Sequence, residues 1–271
     1  MKYNNISIEI NKQVAAIWLN RPEVKNALDS TTFSELIRVL KELKSNSSIR
    51  MVILRGRGDV FSSGADLNWM LASGQLPWKK NYKNSKLISD CLNELYNFPK
   101  PVICLAQGIA YGGAIGLLAA CDIVIATQET RFAFSEVRLG LAPSIIMPYV
   151  LKRINPSKAS LLIYSARPFG AMEAEKIGLT DIVANEAEAE LYLKNLIADM
   201  SKTSPDALIE CKKMIRLSSK PISKKLIKQT ILSTTELKKS NDGQEGLKAF
   251  IKKRDPLWAT KQELNIPHGS N

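Results

Sequence analysis

Three short apolar runs set the tightest limit on how this chain can fold: MVILR (51–55), PVICLAQG (101–108) and DIVIAT (122–127). Each reads as a strand buried on both faces rather than one with a solvent side. Segments of helical spacing surround them. Over 31–45, Phe33, Leu36, Ile37, Leu40 and Leu43 recur at helical intervals, and Asp29 or Ser30 can cap that helix. AIGLLAAC (114–121) is a small-residue helix with no charge until Asp122. Repeated strand-then-helix units predict an α/β architecture.

The flanking segments extend this plan. ISIEI (6–10) and VAAIWLN (14–20) have the look of a hairpin around Asn11 and Lys12. A glycine-rich loop, GRGDVFSSGAD (56–66), leads into a helical stretch to Phe98, where Pro99 and Pro101 stop it. After Pro143 the pattern is mostly helical, with GLTDIVA (178–184) the one evident strand. Pro205 and Pro221 fit the first turns of separate helices. A chain of 271 residues can bury a core as one domain with an appendage, or as two small domains.

Composition narrows the chemistry. The only histidine is His268, in what reads as a frayed tail, so a catalytic triad, a Cys–His pair or a His-rich zinc site lacks its imidazole. No metal is expected, and the work falls to carboxylates, backbone amides, hydroxyls or lysines. Cys91, Cys104, Cys121 and Cys211 have no close pairing, and three of them sit among apolar neighbours as reduced core residues would. No apolar run approaches the roughly 20 residues that cross a bilayer. MKYNNISIEI lacks the apolar stretch of a signal peptide, so a cytoplasmic or organelle-matrix protein is expected. The net charge is +12, and residues 202–254 hold fourteen Lys/Arg against five Asp/Glu. Such a field suits a polyanion or a phosphorylated ligand, or is simply a solvated helical surface.

Two loops and one glutamate stand out. In 61–66 and in 108–114, small residues leave backbone N–H groups near a helix start uncrowded. Two such groups converging from different loops make an oxyanion hole, although tight helix–strand packing also explains glycine pairs. Neither loop matches a phosphate-binding motif. Glu136 lies in FSEVRLGLAP (134–143), where a lone carboxylate can pair with Arg131 or Arg138, or act in catalysis.

In this order and spacing, FSSGADLNWM, QGIAYGGAIGLLAACDIVIA and FAFSEVRLGLAP resemble the enoyl-CoA hydratase/isomerase family, the crotonases. IWLNRPEVKNAL (17–28) resembles that family's N-terminal segment, and the likeness runs through about residue 258. SEVRLGLAP followed by PYV, with SNDGQEGLKAFIKKRDPLW, looks like the methylglutaconyl-CoA hydratase branch.

The resemblance implies a crotonase-like α/β spiral of ββα units over 1–200, a C-terminal helical region used in trimerisation over 201–258, and a tail over 259–271. It implies a homotrimer or a dimer of trimers that adds water to a 2-enoyl-CoA, 3-methylglutaconyl-CoA or a related branched acyl-CoA, in fatty-acid metabolism or leucine degradation. No cofactor is tightly bound; coenzyme A arrives as part of the substrate. Carried over by motif, the N–H groups of Ala65 and Gly113 hold the thioester oxygen and Glu136 handles the proton. Lys25, Ala65, Asp66, Leu67, Phe250 and Lys253 bind the coenzyme A portion, the last two from an adjoining subunit. One departure matters: the position where two-glutamate hydratases carry their first glutamate is Gly116. That leaves an isomerase moving a double bond with one glutamate as the alternative. The alternative from another class is an RNA-binding protein with a vestigial crotonase site, though no binding module is recognisable and few aromatics interleave the basic residues of 202–254.

Overall fold

The computed structural model describes residues 3–219 and 221–259, so His268 and the tail beyond 259 lie outside the described residues. β1 (Ile6–Asn11) and β2 (Val14–Leu19) form the antiparallel hairpin, with Lys12 at φ 54° in its two-residue turn. α1 (Ser30–Ser45) begins where the Asp29 carboxylate accepts the Thr32 N–H at 2.8 Å. A cap of this kind contributes about 1 kcal/mol. β3 (Met51–Gly56), α2 (Leu67–Gly74), α3 (Trp78–Tyr96) and β4 (Val102–Ala106) follow. Next come β5 (Ile109–Tyr111), α4 (Gly113–Ala120), β6 (Ile123–Thr127) and β7 (Arg131–Ala133). The remainder is α5 (Met147–Arg153), α6 (Pro156–Ser165), β8 (Phe169–Gly170), α7 (Ala171–Lys176), β9 (Ile182–Ala184), α8 (Glu186–Ser201), α9 (Pro205–Ser218), α10 (Lys224–Lys239) and α11 (Asn241–Ile251).

The larger sheet runs β1-β2-β3-β4-β6-β9, parallel from β2 onward. Its central strands are apolar on both sides because both faces are covered. On one face Leu54, Val102, Cys104 and Val124 meet the main core under α1, α3 and α4. On the other, Met51, Ile53, Ile103 and Ile125 meet Ala189, Leu193 and Ile197 of α8. The smaller sheet, β5-β7-β8, is continued by bridges pairing Ser62 with Ala110 and Leu28 with Ala65. Successive passes of the chain therefore place one segment in each layer, which is the spiral of a crotonase fold.

Three local expectations change. Residues 67–96 are two helices, because Gly74 ends the first and Pro77 stands at the start of the second. Part of the second glycine loop is strand β5, and β7 and β8 extend the same small sheet; these two- and three-residue strands are too short to show a period in sequence. Pro205 opens α9 as expected, but Pro221 precedes α10, whose cap is Ser223. Cys91, Cys104 and Cys121 are buried and Cys211 is exposed.

Candidate active site

β3 and β4 lie side by side, so the loops leaving their C-terminal ends are neighbours. A short ladder ties them: Phe61 N–H donates to Gln107 O at 2.8 Å, Ser62 N–H to Ile109 O at 3.0 Å, and Tyr111 N–H to Ser62 O at 3.2 Å. Residues 25–28 brace the first loop from outside. Ser63 N–H donates to Lys25 O and Leu28 N–H to Gly64 O, both at 2.8 Å, and Asp66 N–H to Leu28 O at 2.9 Å. Amid this bonding, the N–H groups of Ala65 and Gly113 have no acceptor among the described residues.

Glycine is what lets them meet. Gly64 adopts φ +93°, and a β-carbon there would stand 2.5 Å from Tyr111 O, so no other residue permits this approach of the two loops. A β-carbon on Gly113 would lie 3.8 Å from Ala65 N, which places the two free donors next to each other. Gly113 is also the first residue of α4, so the partial positive charge of the helix start adds to its N–H.

Glu136 opens a 3-10 turn, Glu136–Leu139, after Phe134 and Ser135 lead out of β7. Its Oε1 would be 3.1 Å from a β-carbon on Gly112, so the carboxylate rests against the glycine beside the two free donors. Its Oε2 is buried with no hydrogen-bond partner among the described residues. Burial raises the Glu136 pKa above the ordinary carboxylate value, opposed only by the residue's own backbone N–H. The ion-pair reading is overturned: Glu136 forms no salt bridge with Arg131 or Arg138 among the described residues. Arg131 lies against Gly170 instead, and Arg138 is exposed.

Ala65, Gly113 and Glu136 all line one cavity of about 350 Å³. Its remaining wall is largely apolar, including Phe33, Met70, Ile88, Leu141 and Ile146, with Arg138 as the lining cation. An apolar wall around two aimed donors and one desolvated carboxylate suits a reaction that builds negative charge on a carbonyl oxygen while moving a proton. Among the described residues, no three His, Cys, Asp or Glu side chains cluster as a metal site.

The other residues selected from sequence divide. Leu67 lines the cavity. Asp66 caps α2, accepting from Asn68 and Trp69, and faces Arg21 at 3.4 Å. Lys25 is exposed beside the first loop and holds it through its carbonyl rather than its ammonium. Phe250 and Lys253 stand at the exposed end of α11 and do not line this chain's cavity.

Sequence reasoning missed the scaffold behind the loops. Arg21 donates to Ala27 O at 2.7 Å and lies 3.3 Å from Asp29. Buried Asn26 donates to Arg57 O and Val60 O, each at 2.9 Å, and Ser62 Oγ donates to Asn26 O at 2.7 Å. NRPEVKNAL carries this signal only once its contacts with 57–66 are known. The basic C-terminal region is partly spent on the chain itself: Lys212 and Arg216 pair with Asp122, Lys213 with Glu210, and Arg254 with Glu245.

Known proteins share both the sequence and the shape. A 2,3-dehydroadipyl-CoA hydratase of Escherichia coli is 29% identical over 93% of this chain and 98% of its own length. A carnitinyl-CoA dehydratase from a second Escherichia coli strain is 29% identical over 92% of this chain and 95% of its own. The crystal structure of an enoyl-CoA hydratase from Shewanella pealeana superposes with a TM-score of 0.91 at 32% identity, covering 95% of this chain and 97% of that one. Among the described residues no helix is long and apolar enough to cross a membrane. The profile of the enoyl-CoA hydratase/isomerase family matches residues 9–261, and the chain belongs to that family.

Proposed function

We propose that this protein adds water across the double bond of a 2-enoyl-CoA, with Glu136 as its proton-transfer group. The observation that carries this reading is one cavity holding two unbonded N–H donors and a carboxylate without a partner. Water oxygen attacks Cβ, the double-bond electrons move toward the thioester, and the charge that develops on its oxygen is held by Ala65 and Gly113 N–H. Glu136 takes the proton from water and delivers it to Cα. Fixed amides stabilise the enolate without reorganising, and each is worth roughly 3 kcal/mol of barrier.

The finer reading is an acyl group that is branched or carries a distal carboxylate, such as 3-methylglutaconyl-CoA. Arg138 supports it, as a cation on the cavity wall with no ion pair among the described residues. The relative that acts on 2,3-dehydroadipyl-CoA, a dicarboxylic acyl group, fits the same direction.

Isomerisation is the second reading, favoured by Glu136 being the one carboxylate lining the cavity among the described residues. There Glu136 takes a proton from Cα of a 3-enoyl-CoA and returns it at Cγ. Glu136→Gln decides whether this carboxylate is the proton carrier in either case. Turnover should fall by roughly 100-fold or more while acyl-CoA binding persists. Near-normal turnover in that variant would remove Glu136 from the chemistry.

A further inference from the structure

α4 presents position 116 one turn beyond Gly113, on the side facing α5. A β-carbon at Gly116 would stand 2.3 Å from Ile146 Cγ2, 2.9 Å from Ile146 Cβ and 3.4 Å from Leu92 Cδ1. Only the absence of a side chain at 116 allows the isoleucine to sit where it does. Ile146 is buried at 4% exposure and lines the cavity that holds Glu136. Its backbone is held as well, since Ile146 O accepts Tyr149 N–H at 3.0 Å and Val150 N–H at 3.1 Å. The main chain at 146 therefore cannot withdraw without disturbing the start of α5.

We infer that Ile146 is a specificity-determining residue: its side chain fills the volume a group at 116 would need to reach the cavity, and it limits the site to a single proton-transfer carboxylate. Glu136 and Arg138 are the ionisable side chains lining the cavity, and the element facing them from α4 contributes only glycine. The hydrocarbon at 146 offers no hydrogen-bonding group of its own to water. An acyl group lacking a polar substituent then finds no second carboxylate beside Glu136 to orient water, which disfavours plain enoyl-CoA thioesters. The inference rests on Glu136 being the proton-transfer group, and it makes Ile146 the residue that decides how many such groups there are.

The test compares Ile146→Gly, Gly116→Glu and the double variant with crotonyl-CoA, each first checked for native circular dichroism. With Ile146 removed, Gly116→Glu should raise kcat/KM roughly 100-fold or more over Ile146→Gly alone, the scale on which a positioned acid–base group acts. The same substitution beside the native isoleucine should give no gain or fail to fold, and either leaves the first comparison intact. The acidic limb of the pH profile supplies a readout that packing alone would not move. In Ile146→Gly, water reaching Glu136 should shift that limb to lower pH. The inference is overturned if Gly116→Glu alone gains as much as the double variant, or if the folded double variant gains nothing. Glu136→Gln, measured in parallel, separates these outcomes from failure of the catalytic reading itself: normal turnover there would remove that reading whatever position 146 does.

Discussion

Burial without a partner disfavours the ionised form of Glu136, and this shapes stability as well as activity. Because its folded pKa lies above the unfolded value, the folded state binds the extra proton between the two. Stability contributed at this residue therefore falls as pH rises through that window. Glu136→Gln should raise the urea midpoint at pH well above the carboxylate range, and the gain should vanish at pH below the ordinary carboxylate value. Equal midpoints at both pH values would show that the buried charge is not a burden. Gly113 offers a second residue-level expectation. Nothing nearer than 3.7 Å opposes a β-carbon there, so Gly113→Val should fold. Its methyl groups would intrude between the two donors, and kcat should fall roughly 100-fold, the effect of losing one oxyanion contact. A folded valine variant of normal activity would place the oxyanion elsewhere.

The elements are held in register by polar anchors as much as by apolar faces. Asp122, between α4 and β6, accepts Val102 N–H at 2.8 Å, Lys212 Nζ at 2.5 Å and Arg216 Nη2 at 3.0 Å. Arg216 also lies over the Tyr96 ring at 4.1 Å. α9 is thereby fastened to the edge of the main core. Burial lowers the Lys212 pKa while Asp122 opposes the shift, so the ammonium depends on that carboxylate. Asp122→Asn should cost about 3 kcal/mol in urea unfolding, the scale of a buried pair broken on one side. Adding Lys212→Met should recover part of that loss, and independent, additive costs would deny the coupling. What was legible in the sequence follows the same division. The buried strands and the Asp29 cap were readable because apolar runs and capping residues are local signals. The small sheet was not, because two- and three-residue strands carry no period. Ala65, Gly113 and Glu136 were singled out through the family resemblance, and the structure brings the three to one cavity. Arg21, Asn26 and Ile146 were not, since their roles exist only across loops distant in sequence.

For the molecule as a whole, the C-terminal region leaves several large apolar side chains exposed. Phe250 and Leu257 are each 85% exposed and Ile222 is 84% exposed, and exposed apolar surface of this kind can mark an interaction site. We propose that a trimer covers this surface, with Phe250 and Lys253 reaching a neighbour's coenzyme A. Sedimentation should show a trimer or hexamer, and Phe250→Asp should weaken it. A wild-type monomer at micromolar concentration would remove that assignment. The central question is whether one carboxylate and two amides add water. Turnover of trans-2-enoyl-CoA thioesters, 3-methylglutaconyl-CoA among them, in isotopically labelled water answers it most directly. The wild-type protein should yield 3-hydroxyacyl-CoA carrying the labelled oxygen at Cβ, and Glu136→Gln should bind the same thioesters without forming it. Migration of the double bond with no label incorporated, or full labelling by the glutamine variant, would contradict the account.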